Sequence, residues 1–162
     1  EVTHTDEAYL LAYGEPEPAV VRSFARRLLD PGYFYTPSGP VITGLGESQY
    51  STLVYQGHVI WTKLTAFCSY GLGRMIKRAR KERWSKADQL LLREALEAVF
   101  TTSLRAYAEL GGIPELYYDH EGQARFYDEQ PEAEGQMSKV QLWSALGARR
   151  ILRDYYEVSG GL

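Results

Sequence analysis

The sequence predicts an all-α domain built from antiparallel helical hairpins, with one small β-hairpin in the loop before the last helix. Three observations carry that reading. Apolar residues recur at helical spacing through successive segments. Glycines and prolines close those segments. The links between them alternate long and short, and helices joined by a short link lie side by side and antiparallel. A chain of 162 residues is long enough for one domain, spanning 1–162, with its own core.

Roughly five helices follow in order. A short one is expected over residues 4–13. The second, over 16–29, has Pro16 and Pro18 at its start and Val20, Val21, Phe24, Leu28 and Leu29 on one stripe, and it ends at Asp30-Pro31. The third, over 59–80, carries Ile60, Trp61, Leu64, Phe67, Leu72, Met75 and Ile76. It is apolar nearly all round in its first half, as a buried helix should be. Ser85 opens the fourth, with Asp88 completing a weaker form of capping box, and Gly111-Gly112 stops it after Leu110. Ser138 is expected to cap the last helix, which carries Leu142, Ala145, Leu146, Ile151, Leu152 and Tyr155.

The two long links, 30–58 and 111–138, should lie at one end of an up-and-down array, whereas 81–85 is a tight turn at the other. Long loops in compact domains are commonly functional. In the second of them, Leu116-Tyr117-Tyr118 and Ala124-Arg125-Phe126-Tyr127 flank His120-Glu121-Gly122-Gln123. This pattern predicts a β-hairpin turned at Gly122, with Asp119 pairing Arg125 across it.

Composition removes several function classes. The formal net charge is −3, so no overall basic character draws the chain to nucleic acid. A basic run, Lys77 to Arg83, falls at a helix C-terminus, where the dipole favours cations, and at the end away from the long loops. A small nucleic-acid binder using residues 74–83 is thus a third-ranked reading. No apolar run reaches the ~18 residues that cross a bilayer, so no membrane partner is expected. Cys68 is the lone cysteine, a small core residue that can form no internal disulfide. His4, His58 and His120 lack metal-ligand spacing, so neither a metal nor a cofactor is expected. The thirteen tyrosines suit interfaces and polyhydroxylated ligands, because each offers an apolar face and a hydroxyl.

The residue most suited to chemistry is Glu115, in Gly112-Ile113-Pro114-Glu115-Leu116-Tyr117-Tyr118-Asp119. Pro114 stiffens the approach to it. A carboxylate whose direction is fixed can act as a general base on water; a solvated loop acid is the plain alternative. Trp61 and Trp143 stand near the starts of the two apolar helices beside the long loops, and their rings serve core packing or stack on sugars. Tyr50, Tyr55, Tyr117 and Tyr118 are equally open. Residues 129–134 read as a solvated acidic surface.

That loop, followed by a hairpin and Ser138-Lys139-Val140-Gln141-Leu142-Trp143-Ser144-Ala145, resembles the end of the (α/α)6-barrel glycosidases, the glucoamylase-like and glycogen-debranching-like α-glucosidase families. Phe34-Tyr35-Thr36-Pro37-Ser38-Gly39-Pro40-Val41 and Tyr55-Gln56-Gly57-His58-Val59-Ile60-Trp61 resemble the stretches that lead into the preceding inner helix. There the chain departs from the pattern: an extra residue separates Val59 from Trp61, and Thr62 stands where proline is usual. The resemblance covers roughly residues 24–157. It implies a partial (α/α)6 toroid, Glu115 as the general base of an inverting hydrolysis, and a sugar site formed by Trp143, Tyr117, Tyr55, Trp61 and His58. A carbohydrate substrate is the implied ligand.

An inverting site needs a second carboxyl group about 6.5–9.5 Å from the first. Residues 1–57 hold no convincing one, Glu47 being the one loop acid at that end. A closed toroid of six helical hairpins also needs several hundred residues, and the chain begins at Glu1 rather than Met. The expectation is therefore the C-terminal portion of a larger catalytic domain, its remainder, in the same or a separate chain, being the protein partner. The alternative is a non-catalytic helical module that binds carbohydrate or protein.

Overall fold

The computed structural model describes residues 3–132 and 142–160, with Trp143 described through its backbone alone. Among the described residues, helices dominate: α1 (Ala8–Tyr13), α2 (Pro18–Leu29), α3 (Thr62–Lys81), α4 (Lys86–Leu110) and α5 (Leu142–Ser159). Two small antiparallel sheets accompany them. One pairs β1 (Tyr35–Thr36) with β2 (Gly39–Pro40). The other has the order β3 (Ile60–Trp61), β4 (Leu116–His120), β5 (Gln123–Phe126). The fold is therefore helix-dominated and mixed rather than all-α. The expected hairpin at 116–126 is present, turned through Glu121 and Gly122 with φ of 51° and 83°, and it gains a third strand from the residues just ahead of α3.

That third strand corrects the start of the third helix, expected at 59. Ile60 pairs with Tyr117 and Trp61 with Leu116, so a β-branched and an aromatic residue take the extended state that suits them. The helix begins only at Thr62. The first expected helix splits into a 3-10 turn, Thr5–Glu7, and α1, and the second starts at Pro18 rather than at residue 16. The bounds of α4 follow the expected signals. Ser85 Oγ accepts the Asp88 amide at 3.1 Å, and Gly111 ends α4 in the left-handed conformation with φ 65°. The cap expected of Ser138 lies outside the described residues.

Helix α3 is the hub, packing against α1, α4 and α5, while α2 packs against α4. Two close approaches depend on missing side chains. A Cβ on Gly71 would sit 2.7 Å from Leu11 Cβ, and one on Gly147 would sit 3.2 Å from the Thr62 carbonyl oxygen. The last turn of α1 is closed from α3: Arg74 Nη1 donates to the carbonyls of Leu11, Ala12 and Gly14 at 3.0, 2.6 and 3.2 Å. A cation is favoured there by the helix dipole as well. The main core joins Leu11, Phe24, Leu28, Phe34, Leu72, Ile76, Leu92, Val99 and Tyr117. A smaller cluster of Ile42, Val59, Leu64, Leu116 and Tyr127 lies beneath the long loops. Between α4 and α5, the rings of Phe100 and Tyr155 stack 3.8 Å apart.

The two long links meet at one end, as expected. Thr52 Oγ1 donates to Gln130 Oε1 at 2.8 Å, Tyr127 Oη to the Leu53 carbonyl at 2.6 Å, and Ser38 Oγ to Asp119 Oδ2 at 2.6 Å. Asp119 also accepts the Gly122 amide at 3.0 Å. The expected Asp119–Arg125 pair is therefore replaced. The register sets Asp119 opposite Ala124 and Arg125 opposite Tyr118, and the Arg125 guanidinium donates to Gln123 Oε1.

Candidate functional site

Glu115 sits immediately before β4, where the long loop turns into the sheet. Its backbone is clamped by the first residue of α3: the Thr62 amide donates to the Glu115 carbonyl at 3.2 Å, and Thr62 Oγ1 donates to the Pro114 carbonyl at 2.8 Å. Thr62 is fully buried. A proline at this position would have no amide hydrogen to give. Threonine, with both an amide hydrogen and a hydroxyl to give, ties the acid-bearing loop to the head of the central helix.

Glu115 is 8% exposed, and its Oε1 accepts the Tyr55 hydroxyl at 2.7 Å. Burial pushes the Tyr55 phenol up to about 12, helped by its bond to Glu115 and the charge there. Tyr55 therefore acts as a permanent donor across the physiological range. Its ring lies edge-on to Trp61, centroids 6.4 Å apart, and to Tyr127 at 6.2 Å. Lys63 places its ammonium 5.1 Å from the centre of the Trp61 ring, a cation–π contact. Glu115 is thus brought into one cluster with Tyr55 and Trp61, which lie far before it in sequence.

The remaining expected site residues fare differently. Tyr117 is fully buried; its hydroxyl donates to the Ser38 carbonyl at 3.2 Å and its ring meets Tyr107 at 6.3 Å. It does not line an open site. The reason is its place in the central strand, with the loop cluster on one face and the helical core on the other, so successive residues Leu116 and Tyr117 are both buried. His58 is half-buried in the loop after Tyr55. Its amide donates to the Ser51 carbonyl at 2.9 Å, and its Nε2 is buried with no hydrogen-bond partner among the described residues. Trp143 belongs to the first turn of α5, with its side chain outside the described residues. Tyr118, on the same face of β4 as Leu116, packs half-buried against the loop cluster.

Glu47 does not have the character of a proton donor. Its Oε1 accepts the Thr3 amide at 2.8 Å, and that bond holds the carboxyl below its usual range, the opposite of what a general acid needs. Much of the basic run is engaged within the protein. Lys77 pairs with Glu157, Arg78 donates to Glu82 and the Pro16 carbonyl, and Arg80 donates to the Val158 carbonyl. Among the described residues no group of three or more His, Cys, Asp or Glu side chains is placed to hold a metal, and no helix is long and apolar enough to cross a membrane.

Sequence reasoning missed Thr62 and Lys63. Thr62 was visible only as a departure from a pattern, and Lys63 only as a charge inside an apolar stretch. No family model matches the chain, and no curated protein or solved structure matches it.

Proposed function

We propose that the chain is the C-terminal part of an inverting glycoside hydrolase of the α-glucosidase or debranching kind, with Glu115 as the general base. The observation that carries this reading is the Tyr55–Glu115 hydrogen bond beside Trp61, on a backbone clamped by Thr62. It joins an oriented carboxylate to aromatic rings of the kind that stack on sugars. Glu115 deprotonates the attacking water, and the acid that protonates the leaving oxygen comes from the remainder of the catalytic domain, on the opposite side of the scissile bond. Helices α1, α3 and α5 are read as inner members of a partial (α/α)6 toroid, and α2 and α4 as outer ones; the packing of α3 on α1 and α5, and of α2 on α4, supports this assignment.

The test is Glu115→Gln in the complete enzyme, assayed on malto-oligosaccharides with the anomeric form of the released sugar followed by NMR. Loss of a general base lowers the rate about 10²–10⁴-fold, and the first-formed product carries inverted configuration. Activity within about tenfold of the parent removes the assignment.

A second reading, a non-catalytic module for carbohydrate or protein, is favoured by the exposed apolar side chains Leu10, Tyr13, Leu142 and Leu146. Oligosaccharide binding without turnover in the complete protein selects it.

A further inference from the structure

A second cleft, which shares Lys63 with the site above, opens between α1, α3 and α5 with a volume of about 430 Å3, a size typical of small-molecule sites. Its aromatic walls are Tyr13, Phe67 and Tyr70, and its charged lining residues are two cations, Lys63 and Arg150. The rings form one surface: Tyr13 lies 5.8 Å from Phe67 and 6.3 Å from Tyr70.

One of the cations is held in place before any ligand arrives. Arg150 Nε donates to Asp154 Oδ2 at 2.7 Å, and the guanidinium lies 3.8 Å from the centre of the Tyr70 ring. Asp154 is 3% exposed, so this carboxylate orients Arg150 from behind. That contact uses the Nε edge of the fork, and among the described residues the terminal amino groups have no acceptor. A guanidinium so oriented loses little freedom when it meets a second anion.

The charge count narrows the ligand. Asp154 offsets Arg150. Lys63 has no carboxylate within ion-pair distance among the described residues and contacts the Trp61 ring instead. The cleft therefore holds one uncompensated positive charge among aromatic walls. Flat rings prefer offset or edge-on partners; a carboxylate matches the planar fork of Arg150, and Lys63 adds a point charge on the same cleft.

We propose that this cleft binds an aromatic monocarboxylate, its ring against Tyr13, Phe67 and Tyr70 and its carboxylate bridging Lys63 and Arg150. A dianion such as an aryl phosphate leaves one charge uncompensated and binds no better.

The experiment is calorimetric titration of the full chain with 2-naphthoate, 2-naphthylmethanol and 2-naphthyl phosphate. Naphthoate is expected to saturate one site, about tenfold or more tighter than the neutral alcohol, since hydrogen bonds to charged groups carry differences of that order. Lys63→Met, a half-buried residue outside the core, is expected to weaken naphthoate about tenfold and leave the alcohol unchanged. Arg150→Lys keeps the charge but loses the planar fork, and is expected to weaken naphthoate while circular dichroism confirms the fold. Equal binding of acid and alcohol, tighter binding of the phosphate, no saturation, or unchanged naphthoate affinity in folded Lys63→Met each overturns the proposal.

Discussion

The Tyr55 hydroxyl donates to Glu115 Oε1 at 2.7 Å, joining the two long loops across 60 residues of sequence. Replacing it by Tyr55→Phe removes a donor from a buried carboxylate. The expected cost is about 1–3 kcal/mol of stability, measured by chemical denaturation.

That same phenol gives a pH signature. Its folded value, pushed up to about 12, lies above the ordinary 10.0 of the free side chain. The group binds its proton more tightly folded than unfolded, so its stabilising effect is complete below about pH 10 and is lost as pH rises through about 12. The stability difference between the parent and Tyr55→Phe should be constant at neutral pH and shrink across that alkaline interval. A difference that grows with pH there contradicts the assignment.

Thr62 offers a graded test of the clamp. Thr62→Val removes the hydroxyl bond to Pro114 and keeps the amide bond to Glu115. Thr62→Pro removes both, although the first turn of a helix tolerates proline well. The valine variant is expected to lose about 1–3 kcal/mol, because a buried carbonyl is left without its donor. The proline variant is expected to lose more. Equal stability of parent and proline variant would falsify a clamping role.

Gly71→Ala tests how closely α1 and α3 approach. The new methyl meets Leu11 Cβ at 2.7 Å and the Ala8 carbonyl oxygen at 3.3 Å, so one helix must shift. Overpacking of this kind costs about 1–3 kcal/mol. Faster hydrogen exchange in α1 than in α4 is the expected accompaniment, since Arg74 must let go of the α1 carbonyls as α1 moves away.

On the acid side, Glu109 pins the hairpin to α4. It accepts the Ala124 amide at 2.8 Å and pairs with Arg105, and the amide bond is the main cause of its lowered pKa. A depressed carboxyl stabilises above its unfolded value and loses that effect as pH falls through the folded one. Melting curves of Glu109→Gln and parent, taken between about pH 3 and pH 7, should converge at the acid end.

Much of this architecture can be read from local signals. Ser85 and Gly111 bound α4 because capping is a property of neighbouring residues, and Gly122 marks the hairpin for the same reason. What the sequence hides is non-local. Val59-Ile60-Trp61 continues the apolar period of α3, yet Ile60 and Trp61 pair with a strand more than fifty residues away. Asp119 has a basic residue nearby in the hairpin, yet its partner is Ser38. Tyr117 is shaped for a ligand surface, but two packed layers close over it. Pro114 and the surrounding loop single out Glu115 in the sequence, and the structure adds its burial and its bond from Tyr55. Its neighbours Tyr55 and Trp61 were legible only as aromatics near long links, and Thr62 only as an oddity.

The pairing of β3 with β4 has a kinetic consequence. Helices α3 and α4 can form from contacts along their own length, but β3 and β4 can meet only after the chain between them has closed a long loop, a step with an entropic cost that slows folding. The Thr62 clamp and the Tyr55 bond depend on the same closure. The acid cluster should therefore mature late, after the helical hairpin, so trapped intermediates of this protein should be rich in helix and lack an oriented Glu115.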